Sequence, residues 1–345
     1  MASVIIPCAG LSSRYENTRP KYLLTLPNGQ LFLEKAIEPY KDFDIHVAIL
    51  KEHEEKYNVI NSFNKVYKDT DYKINFHVLD KLTSGPAETV YEVVKKLDEQ
   101  PFMVQDCDSF FTFDYLIDKN FIVSVDLNEN KDLYNVANKS YIQINDQNII
   151  TNIVEKNIIS NHFCAGGYGF KSSGAYISYY KELSDYGEVF VSHVIKAMIR
   201  DEHAFYWKRG HQYKDLGTYK EFVENSIKQT VYFVDIDGTL IKSQSSWFND
   251  DYNMDYTPIE GAVKFLHNKI FEGATVIFTT ARPEWARERT RQILDDMDFD
   301  DCQLIMALPH APRILINDYH NTNPYPTAQA INVPRDSEDF WKHMK

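Results

Sequence analysis

Two consecutive α/β domains are predicted by three features of this 345-residue chain. Short apolar runs alternate with helix-patterned segments through both halves. Each half contains an apolar run that ends in two aspartates, Asp106 and Asp108 in the first and Asp235 and Asp237 in the second. The first apolar run of the chain opens into a loop of small residues and cations.

The elements follow in order. Ser3–Pro7, His46–Leu50, Ile74–Leu79 and Phe102–Gln105 read as buried strands. Leu31–Tyr40 and Pro86–Leu97 read as helices; in the second, Val90, Val94 and Leu97 share a face and Pro86 suits the first turn. This alternation predicts a mostly parallel sheet. Tyr134–Lys156 departs from it, as strands joined by the polar turn Asn145–Asn148, an antiparallel insertion. A helix over Thr218–Lys228 precedes a second series: strand Thr230–Val234, helix near Ile259–Lys269, strand Ala274–Phe278, helix near Glu284–Leu294 and strand Arg313–Ile316. The domains are therefore set at 1–229 and 230–345. No low-complexity linker and no internal repeat separates them.

Composition narrows the function classes. With 43% hydrophobic and 14% aromatic residues, each half can bury a core of its own. A net charge of −13 argues against a nucleic-acid binder. No stretch approaches the roughly 18 apolar residues of a membrane span. The apolar run at the N-terminus is short and lacks a basic lead, so a soluble, cytoplasmic protein is expected. Cys8, Cys107, Cys164 and Cys302 show neither disulfide nor zinc spacing. Cys8 and Cys107 read as small packing residues, and Tyr168 and Phe170 as core.

The loop after Pro7 holds Ala9, Gly10, Ser12 and Ser13, and is closed by Arg14 and Lys21. Small residues let backbone N–H groups approach phosphate oxygens. Arg14 offers a fork and Lys21 a point charge. An ordinary strand-to-helix turn with surface cations is the competing reading. The segment resembles the signature of sugar-1-phosphate nucleotidyltransferases, A-G-x-G-[ST]-R followed by P-K, with Ser12 where that family places its second glycine. Four further segments are similar to that family's motifs, in its order: Ser84–Gly85–Pro86–Ala87–Glu88, Phe102–Asp108, Ile153–Lys156 and Asp215–Thr218.

The resemblance implies a Rossmann-like mixed sheet of the GT-A type and a Mg²⁺-dependent transfer. In it Asp108 and Asp215 hold the metal, with Asp106 a direct or water-mediated ligand. Arg14 stabilises the triphosphate and Lys21 the reacting phosphates. Ser84–Pro86 meets the base, Glu155 the acceptor's hydroxyls and Lys156 its phosphate. Alternatives remain open: turn-capping aspartates, an exposed Glu155–Lys156 charge pair, or a D-x-D glycosyltransferase.

In the second half, Val231–Leu240 reads V-Y-F-V-D-I-D-G-T-L and Val276–Arg282 reads V-I-F-T-T-A-R. Arg313 and Ile314–Asp318 follow. These resemble the motifs of the haloacid dehalogenase superfamily, with Asn317 in place of one possible acid. The resemblance implies Asp235 as nucleophile, Asp237 as general acid and base, and Thr280 and Arg313 as phosphate holders. Mg²⁺ would be bound by Asp235, Asp318 and the Asp237 carbonyl. Gaps of about forty and about thirty residues between the motifs leave no room for a large cap, so a small capless domain is implied. The stretch Ile316–Asn332 resembles phosphatases of capsule biosynthesis, which favours CTP as the nucleotide.

The expectation is a bifunctional enzyme whose partners are a nucleoside triphosphate and a phosphorylated sugar or polyol, with homo-oligomerisation open. A non-catalytic sensor of nucleotides or sugar phosphates is the rival from another class.

Overall fold

A computed structural model describes residues 3–12, 15, 18–115, 118–130, 136–243, 255–318, 327–339 and 342. Two compact units are present, Met1–Phe222 and Val223–Lys345.

The front unit contains β1 (Ser3–Pro7), α1 (Phe32–Ile37), β2 (Asp44–Leu50), α2 (Lys51–Tyr57), α3 (Val59–Tyr67), β3 (Lys73–Leu79), α4 (Pro86–Val94) and β4 (Phe102–Gln105). It continues through β5 (Ser109–Thr112), β6 (Asn120–Asp126), β7 (Ser140–Ile144), β8 (Ile149–Glu155), β9 (His162–Phe170), α5 (Ser173–Leu183), α6 (Val191–Arg200), β10 (Phe205–Arg209) and β11 (His211–Asp215). Helix α7 (Tyr219–Lys228) carries the chain across the unit boundary. Phe222 lies before that boundary because its ring joins Tyr15, Phe32 and Phe110 in a front-unit cluster.

Nine strands form one mixed sheet in the order β3-β2-β1-β4-β9-β6-β10-β8-β7. The first four run parallel, β9 is antiparallel to both β4 and β6, and β7 and β8 form an antiparallel hairpin. The hairpin turn is Asn145–Asn148, and Asn148 adopts φ +58. Residues 131–135, which include Tyr134, lie outside the described residues.

Successive residues of a strand point to opposite faces, and both faces of this sheet are covered. Ile5, Val104 and Ile122 enter one core, while Val4, Ile6, Met103, Phe121 and Val123 enter the other. Strand β3 differs from the buried strand expected there, since it is a sheet edge on which only Leu79 is buried. Helix α4 buries Ala87, Val90, Val93 and Val94 against the first core, a 3.6-residue repeat. Helices α2 and α3 are separated by Asn58 in the left-handed region, φ +48.

The rear unit has β12 (Val231–Asp235), α8 (Glu260–Phe271), β13 (Thr275–Thr279), α9 (Arg287–Asp295) and β14 (Gln303–Ile305), with the three strands parallel. Its core gathers Val234, Leu266, Phe278, Leu294 and Phe299. The expected strand over Thr230–Val234 is present as β12, with Val231 and Phe233 facing outward. One expectation is corrected: the strand over Arg313–Ile316 is absent, and Ile314 and Ile316 are 82% and 90% exposed. Pro309 and Pro312 lead into this run without amide donors, so neither can add a ladder hydrogen bond to a strand there.

Candidate active sites

In the front unit, β1, β4 and β11 end around a cleft of about 490 Å³. The loop after β1 bends at Ser12, whose φ of +53 lies in the left-handed region. A glycine, which the resembled signature has at this position, adopts that conformation without strain, whereas serine does so at a cost. Ser12 Oγ accepts a hydrogen bond from the Lys21 backbone N–H at 2.9 Å, tying the loop's ends together. Gly10 lines the cleft, whereas Ala9 is buried beneath the loop in the core. Ser13 and Arg14 lie outside the described residues.

Lys21 is 7% exposed and donates from Nζ to Asp108 Oδ2 at 2.6 Å and to the Gly217 carbonyl at 3.0 Å. Asp108 sits on the turn between β4 and β5. Asp215 ends β11, which pairs antiparallel with β5 so that Asp215 opposes Ser109. The Leu216 N–H donates to the Asp108 carbonyl at 2.9 Å, joining the two carboxylate-bearing turns. Buried Gln105 fixes the first turn, donating to the Asp106 and Ser109 carbonyls and accepting from Tyr40.

Asp106 approaches Gly166 so closely that a Cβ there would lie 2.7 Å from Oδ2. Burial, together with the charge of Asp108, pushes the Asp106 carboxyl up to about 7. Burial also pushes the Cys8 thiol up, helped by its contact with Cys107. A protonated buried thiol is a poor nucleophile, as the packing reading requires.

Across the cleft, Ser84, Gly85 and Pro86 line the wall at the start of α4. A Cβ on Gly85 would meet the Val189 carbonyl at 2.9 Å, so only glycine fits. Glu88 turns back to accept the Ser84 N–H. Glu155, at the end of β8, accepts hydrogen bonds from Ser140 and Ser192. Its neighbour Lys156 adopts φ +53 and places Nζ 4.4 Å from the centroid of the Phe190 ring. Lys156 is not among the residues lining the cleft, but Lys139 is. Lys139 donates to Asp215 and, at 3.2 Å, to the Tyr213 hydroxyl. Burial works against its charge, yet Tyr213 and Asp215 outweigh burial and its pKa rises.

Sequence reasoning missed Lys139, Ser140 and Ser192, which belong to no local motif. Asp106, Asp108, Glu155, Glu188 and Asp215 outnumber Lys21 and Lys139 in the lining, so an anionic substrate needs added cation. Asp108 and Asp215 offer hard oxygen donors. That suits Mg²⁺, which takes one or two carboxylates and completes its shell with phosphates and water.

In the rear unit, β12 delivers Asp235, and Asp237 follows on a turn where Gly238 has φ +87. Arg313 Nη2 lies 3.1 Å from Asp235 Oδ1. Burial raises the Asp235 carboxyl, Asp237 adds to this and Arg313 opposes it. Arg282, 7% exposed, forks onto Asp237 at 3.0 and 2.8 Å. This arginine stands in the second motif and was assigned no role from sequence. Thr280 Oγ1 stands 3.4 Å from Asp237, while the Thr279 hydroxyl turns inward to the Val234 carbonyl. Asp318 is exposed, and its carbonyl accepts from Thr327. Residues 319–326 of the capsule-like stretch lie outside the described residues. Among the described residues no three His, Cys, Asp or Glu side chains gather to hold a metal. Asp318 is thus not assembled with Asp235 and Asp237, since its strand is not formed, and the donors present do not make a Mg²⁺ site there.

No family model and no curated protein sequence matches the chain. Solved structures do. A nucleoside-diphosphate-sugar pyrophosphorylase from Vibrio cholerae RC9 is 20% identical with TM-score 0.54, covering 64% of this chain and 98% of its own. The inositol-1-phosphate CTP transferase from T. maritima is 15% identical with TM-score 0.52, covering 64% and 91%. A UDP-glucose pyrophosphorylase complexed with UDP-glucose is 15% identical with TM-score 0.52, covering 66% and 97%. At these identities the likeness is one of fold. The N-terminal part of this mixed α/β chain has the fold that those nucleotidyltransferases share.

Proposed function

We propose that the chain is a bifunctional enzyme. Its front unit transfers a nucleotidyl group from a nucleoside triphosphate to a sugar or polyol phosphate, and its rear unit hydrolyses a phosphomonoester. The observation that carries the first half is the meeting of Lys21, Asp108 and Asp215 in one cleft on a nucleotidyltransferase fold.

An oxygen of the acceptor's phosphate attacks the α-phosphorus, an O–P bond forms, and the bond to the β-phosphate bridge breaks as pyrophosphate leaves. The nucleophile is already ionised, so catalysis rests on positioning and charge neutralisation. Asp108 and Asp215 would hold Mg²⁺, which supplies positive charge at the reacting phosphates. Lys21 neutralises the transferring phosphate, with Arg14 on the triphosphate. The wall at Ser84–Pro86 receives the base, and Glu155 accepts from an acceptor hydroxyl. CTP with a polyol phosphate is the favoured pair; the described function of the T. maritima neighbour supports it.

In the rear unit, Asp235 attacks phosphorus to form an acyl phosphate, and Asp237 protonates the departing oxygen. Asp237 then takes a proton from the water that releases phosphate. Thr280 and Arg313 hold phosphoryl oxygens. Their convergence on the two aspartates supports this reading. The product would feed surface polysaccharide synthesis, in line with the capsule-like resemblance.

The test is a pyrophosphate-release screen with Mg²⁺, five nucleoside triphosphates and a panel of sugar and polyol phosphates, on wild type and Asp235→Asn. Pyrophosphate from one pair is expected, with phosphate release lost in the variant. Absence of pyrophosphate from every pair would overturn the transferase reading in favour of a glycosyltransferase or a sensor.

A further inference from the structure

Within the front-unit reading, the acceptor's phosphate needs a cation, and the sequence pointed to Lys156. The structure distributes the two lysines differently. Lys156 follows Glu155 directly, and its left-handed backbone carries its side chain onto the ring of Phe190. Its backbone N–H donates to the Lys139 carbonyl at 3.0 Å, so the two lysines are neighbours across the β7–β8 hairpin. Only Lys139 lines the cleft.

Lys139 stands immediately before Ser140, which opposes Glu155 in the β7–β8 register and bonds its carboxylate. One short stretch of the cleft therefore presents a carboxylate suited to hydroxyls and an ammonium suited to a phosphate. At the other end, Lys21 is held by Asp108 and Gly217 beside the loop after β1.

The present partner of Lys139 is exchangeable on physical grounds. Its side chain is 16% accessible, while that of Asp215 is only 2% accessible. Asp215 is further fixed by the Gly217 N–H at 2.9 Å. Were Asp215 to give its oxygens to a divalent ion, the Lys139 ammonium would lose the anion that balances it. A buried ammonium cannot be left unbalanced, and a phosphate in the cleft is the anion that replaces Asp215. The lysine stem is the mobile half of the pair, with four rotatable bonds.

We infer that Lys139, and not Lys156, binds the phosphate of the acceptor, with Glu155 taking a hydroxyl of the same molecule. This rests on the nucleotidyltransferase reading of the cleft. It assigns the acceptor class as a phosphomonoester carrying a hydroxyl within reach of Glu155.

The test uses the full chain with Lys139→Met, Lys139→Arg and Lys156→Met. Inorganic phosphate, titrated calorimetrically with Mg²⁺ and no nucleotide, reads the site without turnover. Losing one charge-assisted contact should weaken phosphate binding about tenfold or more in Lys139→Met. Lys139→Arg keeps the cation and should stay within about threefold of wild type, as should Lys156→Met. In the transfer assay, Lys139→Met should raise the acceptor KM by a similar factor while the nucleotide KM moves less than about threefold. If Lys139→Met does not fold, Lys139→Gln retains a donor to Asp215 and takes its place. Loss of phosphate binding in Lys156→Met with retention in Lys139→Met would overturn the inference. So would an absence of saturable phosphate binding by wild type, or equal rises in both KM values, the mark of a residue that merely supports Asp215. A chain that binds phosphate through Lys139 yet releases no pyrophosphate would sustain the site and reject the transferase reading.

Discussion

The front and rear units assemble their acids in opposite ways. In the front, several weak motifs far apart in sequence converge: Asp108 arrives on the turn before β5 and Asp215 at the end of β11, and each meets a lysine from elsewhere. In the rear, one compact motif delivers Asp235 and Asp237 within three residues, but the acid that should complete the set, Asp318, stays in exposed coil. The front site draws on the nine-stranded sheet and on the separate β5–β11 pair, so the packing of both holds it. A site whose last member hangs on one apolar run depends on that run finding a strand partner, and Ile314–Ile316 has none in the described structure.

The largest expected effect is from Asp108→Asn, which should lower pyrophosphate release about 10³-fold by removing the carboxylate charge proposed to hold Mg²⁺ and the anchor of Lys21. Phosphomonoester hydrolysis should stay within about twofold in the same preparation. Loss of both activities together would end the two-site view.

Next comes Gly166→Ala, which would test how tightly the sheet defines the front site. A methyl there meets Asp106 Oδ2 at 2.7 Å, and the φ of +95 strains any side chain. Denaturant unfolding should show a loss of about 3 kcal/mol. A loss below about 1 kcal/mol would mean the strand end relaxes freely.

In the rear, Arg282→Ala would leave Asp237 without its fork. Phosphatase kcat on p-nitrophenyl phosphate should fall about 10²-fold while front-site activity persists. An unchanged kcat would make Arg282 a structural pairing only.

The smallest effect is a pH dependence located in the front sheet. His46 and His77 meet at 3.0 Å across β2 and β3. Burial lowers both imidazoles, opposed at His46 by Asp44. His77 is pushed down to about 4 by burial first, then by His46 and Lys96. Unfolded histidines take up protons near pH 6.5 while the folded His77 does not until about 4. Its contribution is therefore fully present above pH 6.5 and declines as pH falls toward 4. The full shift is worth about 3 kcal/mol, and because His77 is partly open to solvent, screening reduces the loss to the order of 2 kcal/mol, which His77→Gln should remove. Equal pH slopes in variant and wild type would refute the assignment.

The fold class was legible because its signals are local. Alternating apolar runs marked β1, β2 and β4, and Pro86 with Val90 marked α4. The Asn145–Asn148 turn marked an antiparallel hairpin. The sheet order was not legible. Placing β9 between β4 and β6 depends on Gly167 and Gly169 admitting Phe111 and Phe121 close to the backbone. The site was legible wherever an acid ends a strand, and illegible wherever its partner comes from a distant segment. Arg282 lies 45 residues from Asp237, and Lys139 lies 76 from Asp215.

Two α/β halves, and the placement of Asp108, Asp215, Asp235 and Asp237 at strand ends and turns, follow from local pattern alone. Periodicity, glycine and proline act within a few residues, so their consequences can be read along the chain. Long-range packing brings Lys139 into the cleft, turns Lys156 onto Phe190 and sets Arg282 on Asp237. It also leaves Arg313–Ile316 without a strand. Those outcomes are set by competition for partners in a low-dielectric interior, where a charge settles beside the counter-charge the fold brings nearest.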